Sequence, residues 1–391
     1  MTRWVFSLSI LTALSATQMT AWAVNMSRGR GISAGYYHTC ETNNTYLYCQ
    51  GYNASGQLGN GTTVNSNSPT QVANIQNVSA IATGYGHSCA IASGVAYCWG
   101  DNTVGQLGNG TTVSATTPQP VPSLPIGNND DIAAGWLHAC AVVRSGTSGG
   151  DVYCWGYNGD GQLGNGTTTN SAVPVLVGGP GQGRYTAVAV GMSHSCALDT
   201  FGYMYCWGAN YYGQLGDGTT NSRLIPAGVD YPPGYYLGNV NAMATGLGHT
   251  CAQTTTATYC WGYNAYGQLG DGTQTNHPWP TLLNVKPSNY IAAGAYHTCS
   301  VSGPPSKGGT QLDCWGYNGN GQLGINNTTT QYLPTAVYHG DVLVSPTAGA
   351  YHTCSMDNKS SYYCWGSNSS GQLGIGNFVN RWVPVRVLNM G

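Results

Sequence analysis

The chain's fourteen cysteines form seven pairs, each inside one copy of a repeated unit. Every copy runs Gly-x-x-His-x-Cys, a short gap, Cys-x-Gly, and then Gly-Gln-Leu-Gly. The leading cysteines are Cys40, Cys89, Cys140, Cys196, Cys251, Cys299 and Cys354, spaced 49, 51, 56, 55, 48 and 55 residues apart. A period of about fifty residues marks a stacked architecture whose units bury a core only against their neighbours. At 391 residues, length alone suggests two or three domains. The repeat replaces that expectation with one closed body over residues 24–391.

The second copy gives the unit. Val78 to Ala82 alternates small and apolar residues and reads as a first strand, and His87 to Ile91 as a second. Ser93-Gly94 is a two-residue hairpin turn, and Val95 to Trp99 is the third strand. A long loop from Gly100 to Thr117 carries Gly-Gln-Leu-Gly, and a short strand follows near Pro118 to Val121. Four antiparallel strands per unit and seven units make an all-β, seven-bladed β-propeller.

The turn at Ser93-Gly94 places residues 92 and 95, 91 and 96, 90 and 97, and 89 and 98 opposite one another. Cys89 therefore faces Cys98, and opposed Cβ atoms lie about 4.5–5.5 Å apart, close to disulfide geometry. The pairs Cys40 with Cys49 and Cys251 with Cys260 share that spacing. The pairs Cys196 with Cys206 and Cys354 with Cys364 have one residue more. Longer, Gly-rich turns separate Cys140 from Cys154 and Cys299 from Cys314. An even number, paired unit by unit, favours seven intra-blade disulfides in an exported chain. The alternatives are reduced, buried thiols or zinc ligands, and a hairpin offset of nine or more does not make the Cys-x-x-Cys knuckle of zinc sites.

Residues 1–23 lie outside the repeat and read as an export signal, with Arg3, an apolar run from Val5 to Ala16, and Ala21-Trp22-Ala23 as the cleavage site. The apolar run is short for a membrane span. The expected location is therefore secreted, periplasmic or on the cell surface. Charged residues make up 6% of the chain and the net charge is −2, so the basic footprint that nucleic acid requires is missing. Tyrosine outnumbers phenylalanine 28 to 3, which suits rings that also meet water or a partner.

The pattern Gly-x-x-His-[Ser/Thr]-x-Ala, then Trp-Gly-x-Asn-x-x-Gly-Gln-Leu-Gly-x-Gly-Thr, resembles the regulator of chromosome condensation repeat. Gly84, His87, Ser88, Ala90, Trp99, Gly100, Asn102 and Gly105 through Thr111 carry the match in the second copy. The resemblance implies a seven-bladed propeller. Gln50 departs from the pattern where the other copies have tryptophan, and the last two copies lose the Gly-Thr tail. The family's eukaryotic founder is an exchange factor for a small GTPase. A secreted bacterial member inhibits β-lactamases through aromatic residues on one face, a mode this chain is similar to in outline.

Strand parity puts the Gly-x-x-His loops and the Asn-x-x-Gly-Gln-Leu-Gly loops of every blade on one face. The first set offers Tyr36, Tyr37, Tyr85, Trp136, Met192, Leu247, Tyr296 and Tyr351 as candidate partner-binding residues. The second adds Tyr52, Tyr157, Tyr211, Tyr212, Tyr263, Tyr266 and Tyr317. Tyrosines among Asn, Ser and Gly have the chemistry of an antibody paratope. The competing reading is packing between blades. Seven recurring histidines, His38, His87, His138, His194, His249, His297 and His352, suit a structural hydrogen bond better than catalysis, which needs one asymmetric constellation. The expectation is an exported, non-enzymatic protein-binding propeller without cofactor or metal. A glycan-binding propeller and an exchange factor are the alternatives.

Overall fold

The computed structural model describes residues 31–389, apart from 44, 123, 128–129, 145–148, 232–233 and 303–310. The expected export signal at 1–23 lies outside the described residues. The described chain forms 28 strands and no helix. They associate in antiparallel groups of four, each ordered from first to fourth strand. Five groups are separate sheets, and the third and fourth blades join through the single pair Gly150↔Tyr185.

The hairpin register follows the sequence. Ala92 pairs with Val95, Ile91 with Ala96, Ala90 with Tyr97 and Cys89 with Cys98. Ser93 and Gly94 have φ of 49° and 77°, the left-handed pair of a type I′ turn whose twist matches the flanking strands.

All seven expected disulfides are present, each joining the second and third strands of one blade. Cys40 is bonded to Cys49, Cys89 to Cys98, and Cys140 to Cys154. Cys196 is bonded to Cys206, and Cys251 to Cys260. Cys299 is bonded to Cys314, and Cys354 to Cys364. The Cα atoms of every pair stand 4.1 Å apart, so the longer turns after Cys140 and Cys299 leave the pairing geometry unchanged. No described cysteine is free, which disposes of the reduced-thiol and zinc alternatives.

The fourth strand begins earlier than expected, at Ala115–Pro120. Its pairing skips from Cys98↔Gln119 to Gly100↔Ala115, a bulge opposite Trp99. The strand is polar and half-exposed, so no alternation betrays its start. Each fourth strand also holds a proline, Pro69, Pro118, Pro174, Pro226, Pro280, Pro334 or Pro384. Proline offers no N–H to a stray partner, which protects an outer edge from sheet extension.

A repeated polar joint ties neighbouring blades. His38 Nε2 lies 2.7 Å from Ser88 Oγ of the next blade, and that hydroxyl donates to the Gln57 carbonyl at 2.9 Å. Trp99 Nε1 donates to the same carbonyl at 2.9 Å. The serine proton is thus committed, so the histidine is neutral and donates from Nε2. Equivalent joints link His138 to Ser195, His194 to Thr250, His249 to Thr298 and His297 to Thr353. The last, His352 to Thr39, closes the ring from blade seven to blade one. Thr39 Oγ1 then donates to the Gln372 carbonyl, and the Tyr362 hydroxyl donates to the Thr42 carbonyl across the same boundary. The histidine partner is therefore a side chain on the next blade's second strand.

Around each joint sits an apolar core. Trp99, Trp155, Trp207, Trp261, Trp315 and Trp365 are fully buried, each lying against the Gly-Gln-Leu-Gly turn of the preceding blade. A Cβ on Gly59 would stand 2.6 Å from Trp99 Nε1, so this position requires glycine. Within the turn, buried Asn53 is the hub. Its Nδ2 donates to the Thr62 and Val64 carbonyls, and its Oδ1 accepts from Leu58 N. These contacts account for the recurring asparagine and leucine of the motif.

Candidate interaction face

Both loop sets emerge on one face, because each follows an odd-numbered strand of an antiparallel blade. At the centre the blades approach closely. A Cβ on Gly84 would meet the Gly135 carbonyl at 2.3 Å, and Tyr85 N donates to that carbonyl at 3.1 Å. The small residues at this level leave a central opening of about 200 Å³. Each blade lines it with the end of its first strand and the residue after the glycine.

The candidate residues divide by position within Gly-x-x-His. Tyr36, Tyr85, Trp136, Met192 and Leu247 occupy the first variable position and line the opening. In blades six and seven that position is Ala295 and Ala350, which line it instead. Tyr37, Tyr296 and Tyr351 sit at the second variable position, one residue further along. The sequence reading grouped both positions together. The signal that separates them is the alanine that recurs immediately after Gly294 and Gly349.

Outside the opening the rings touch one another. Tyr212, Tyr263, Tyr266, Tyr296, Tyr317, Tyr351, Tyr37, Tyr52, Tyr36, Tyr85 and Trp136 form one connected network with centroids 4.6–6.4 Å apart along it. The network joins the two loop sets through Tyr37–Tyr52, Tyr266–Tyr296 and Tyr317–Tyr351. Tyr157 and Tyr211 lie outside it; Tyr157 covers Gly159 in its own loop, and Tyr211 donates to Asp160. Most of these contacts join rings of neighbouring blades, and the rings keep part of their surface open. Tyr85 remains 37% exposed, Tyr212 39% and Tyr52 38%, enough to offer area to a partner.

Burial, followed by a hydrogen bond with Tyr351, pushes the Tyr36 hydroxyl far above the usual phenol range. Burial likewise raises Tyr37, Tyr263 and Tyr296. These four hydroxyls therefore hold their protons above the usual phenol range. The seven histidines lie beneath, fully buried, and desolvation lowers them all, His38 to about 3 and His87 to about 4. All but His87 are locked as neutral donors to the next blade. Among the described residues no group of three His, Cys, Asp or Glu side chains is placed to hold a metal. No described helix is long and apolar enough to cross a membrane.

The chain matches the RCC1-like domain over residues 147–391, and the regulator of chromosome condensation (RCC1) repeat over 46–91 and 93–142. It is 33% identical over 238 residues to the ultraviolet-B receptor UVR8 of Arabidopsis thaliana, a match covering 59% of this chain and 51% of the receptor. It is 31% identical over 215 residues to the probable E3 ubiquitin-protein ligase HERC4 of Homo sapiens, covering 53% of this chain and 19% of the ligase. These matches span about half of the receptor and about a fifth of the ligase. Among solved structures it resembles yeast RCC1 (Prp20), crystallised with Kap60, with a TM-score of 0.76 and 22% identity over 98% of this chain and 91% of that one. Human WBSCR16 superposes with a TM-score of 0.74 and 23% identity, over 88% of this chain and 94% of that one. At such identities the likeness is one of fold.

Proposed function

The chain belongs to the regulator of chromosome condensation (RCC1) repeat family, and on that footing we propose that it is an exported, non-catalytic propeller that binds a protein through its ring-lined face. The observation that carries this reading is the connected network of Tyr and Trp side chains across the loops of one face. Such rings bury large area with few torsions to freeze, and Tyr and Trp dominate the energetics of protein interfaces. Fold alone never assigns a function, so the argument rests on the face. One fold relative supports the class of partner: yeast RCC1 (Prp20) was solved bound to Kap60, and a second structure of it was described with its binding to Gsp1p and histones.

Export is supported by the seven disulfides, which persist in oxidising compartments. The reading of residues 1–23 as a signal agrees with it. A non-catalytic role is supported by the histidines, each buried and held neutral between blades.

The test starts with the chain lacking residues 1–23 as bait, and mass spectrometry to identify what it retains. Affinity for the retained protein is then measured for Tyr85→Ala, Trp136→Ala and Tyr351→Ala. At least one should lose about 2 kcal/mol or more of binding energy, with the melting temperature nearly unchanged. Undiminished affinity in all three would remove the face from the account.

A further inference from the structure

The charge on the ring-lined face is one-sided. The loops on this face carry four acids and no lysine or arginine: Asp101 in blade two, Asp160 in blade three, Asp217 in blade four and Asp271 in blade five. Asp101 continues the chain from the third strand, and its N–H donates to the carbonyl of Gly86, the residue after Tyr85. Its carboxylate accepts from Gln106 Nε2 at 2.8 Å and from Thr103 Oγ1 at 3.2 Å. Asp160 accepts the Tyr211 hydroxyl at 2.5 Å. Neither Asp101 nor Asp160 makes an ion pair; those of the described residues are Arg223–Asp217, His277–Asp271 and Lys359–Asp341. Between blades two and three, Tyr85 and Trp136 meet at a tilt of 54° with centroids 5.5 Å apart, and both line the central opening.

We infer that the protein docking on this face presents a basic side chain, arginine above all, to the quadrant of Tyr85, Trp136, Asp101 and Asp160. The inference rests on the face being the docking surface. A partner that covers the quadrant strips water from both carboxylates, and a buried anion without a counter-charge is heavily penalised. A cation cancels that cost. A guanidinium is the best fit, because it lies flat on tyrosine or tryptophan while its N–H groups reach a carboxylate. An acidic partner meets two uncompensated like charges, and a purely apolar one leaves both aspartates desolvated.

The experiment pans a random twelve-residue peptide display library against the immobilised chain lacking residues 1–23, then repeats it against the double variant Asp101→Asn with Asp160→Asn. Peptides dependent on the face are those released by Tyr85→Ala or Trp136→Ala. Among them arginine and lysine should be enriched several-fold over the starting library. A synthetic copy should bind the double Asn variant about tenfold more weakly, and the gap should narrow as salt rises. Face-dependent peptides without basic residues, or with unchanged affinity for the double Asn variant, would overturn this inference and leave the docking face standing. If no enriched peptide depends on Tyr85 or Trp136, both readings fail.

Discussion

The hydroxyl on each second strand holds one proton, and the glutamine carbonyl beneath it takes that proton, which leaves the hydroxyl as acceptor for the preceding blade's histidine. One joint lacks the hydroxyl. Blade three has Ala139 at this position, and His87 has no hydrogen-bond partner on either ring nitrogen. Ala139→Ser should therefore complete the joint and stabilise the protein by about 1 kcal/mol, while Ser195→Ala, which strips His138, should cost about 1–3 kcal/mol. Urea midpoints of the two variants check this; equal midpoints would show the joint to be neutral.

The same residues set the pH response. Folding depresses the histidines from 6.5 to about 3 in most blades and about 4 for His87 and His194, so the stability they confer is complete above 6.5. It drains away as pH falls toward their folded values, because the unfolded chain takes up protons first. Glu41 acts in the opposite sense. It is buried on blade one without a partner for either carboxylate oxygen, and burial raises it from 4.5 to about 8. Its destabilisation grows as pH rises from 4.5 through 8. Thermal melts should show steep loss of stability below about pH 6. Glu41→Gln should gain most over the parent near pH 8 and almost nothing below pH 4.5, and a constant gain would contradict the assignment. The recurrence of histidine announced a structural role in the sequence. The missing hydroxyl stayed hidden because the partner lies about fifty residues away and is recognisable only once blades are stacked.

At the scale of the blade, the hairpin was fully legible because a two-residue turn fixes register and register fixes the cysteine pairing. The fourth strand was not, since half-exposed polar strands lack the period-two signal and their pairing is broken by a bulge. Two measurements separate the blade's supports. Thiol titration of the denatured, unreduced chain should find no free thiol, and several reactive thiols would contradict the disulfides. Trp207→Ala, which empties a fully buried site, should cost about 3–5 kcal/mol of stability. A cost below 1 kcal/mol would mean that the joint, rather than the indole, carries the packing.

The whole molecule is a ring closed without strand exchange, since the first and last blades are each one continuous segment. The boundary between them departs from the other six. Gln50 occupies the place of the blade tryptophan, neither of its amide atoms has a partner, and Glu41 lies on the same hairpin. The sequence revealed the tryptophan's absence but not that it falls where the ring closes. Likewise strand parity placed the rings on one face, while their joining into a network and the central opening came from the loops' three-dimensional approach. If a protein partner sits on this face, hydrogen exchange of the complex against the free chain should be slowed in the Gly-x-x-His loops and the Asn-x-x-Gly segments, from Tyr36 round to Tyr351. The turns of the opposite face, such as Ser93-Gly94, should be unchanged. Protection confined to that opposite face would contradict this placement of the partner.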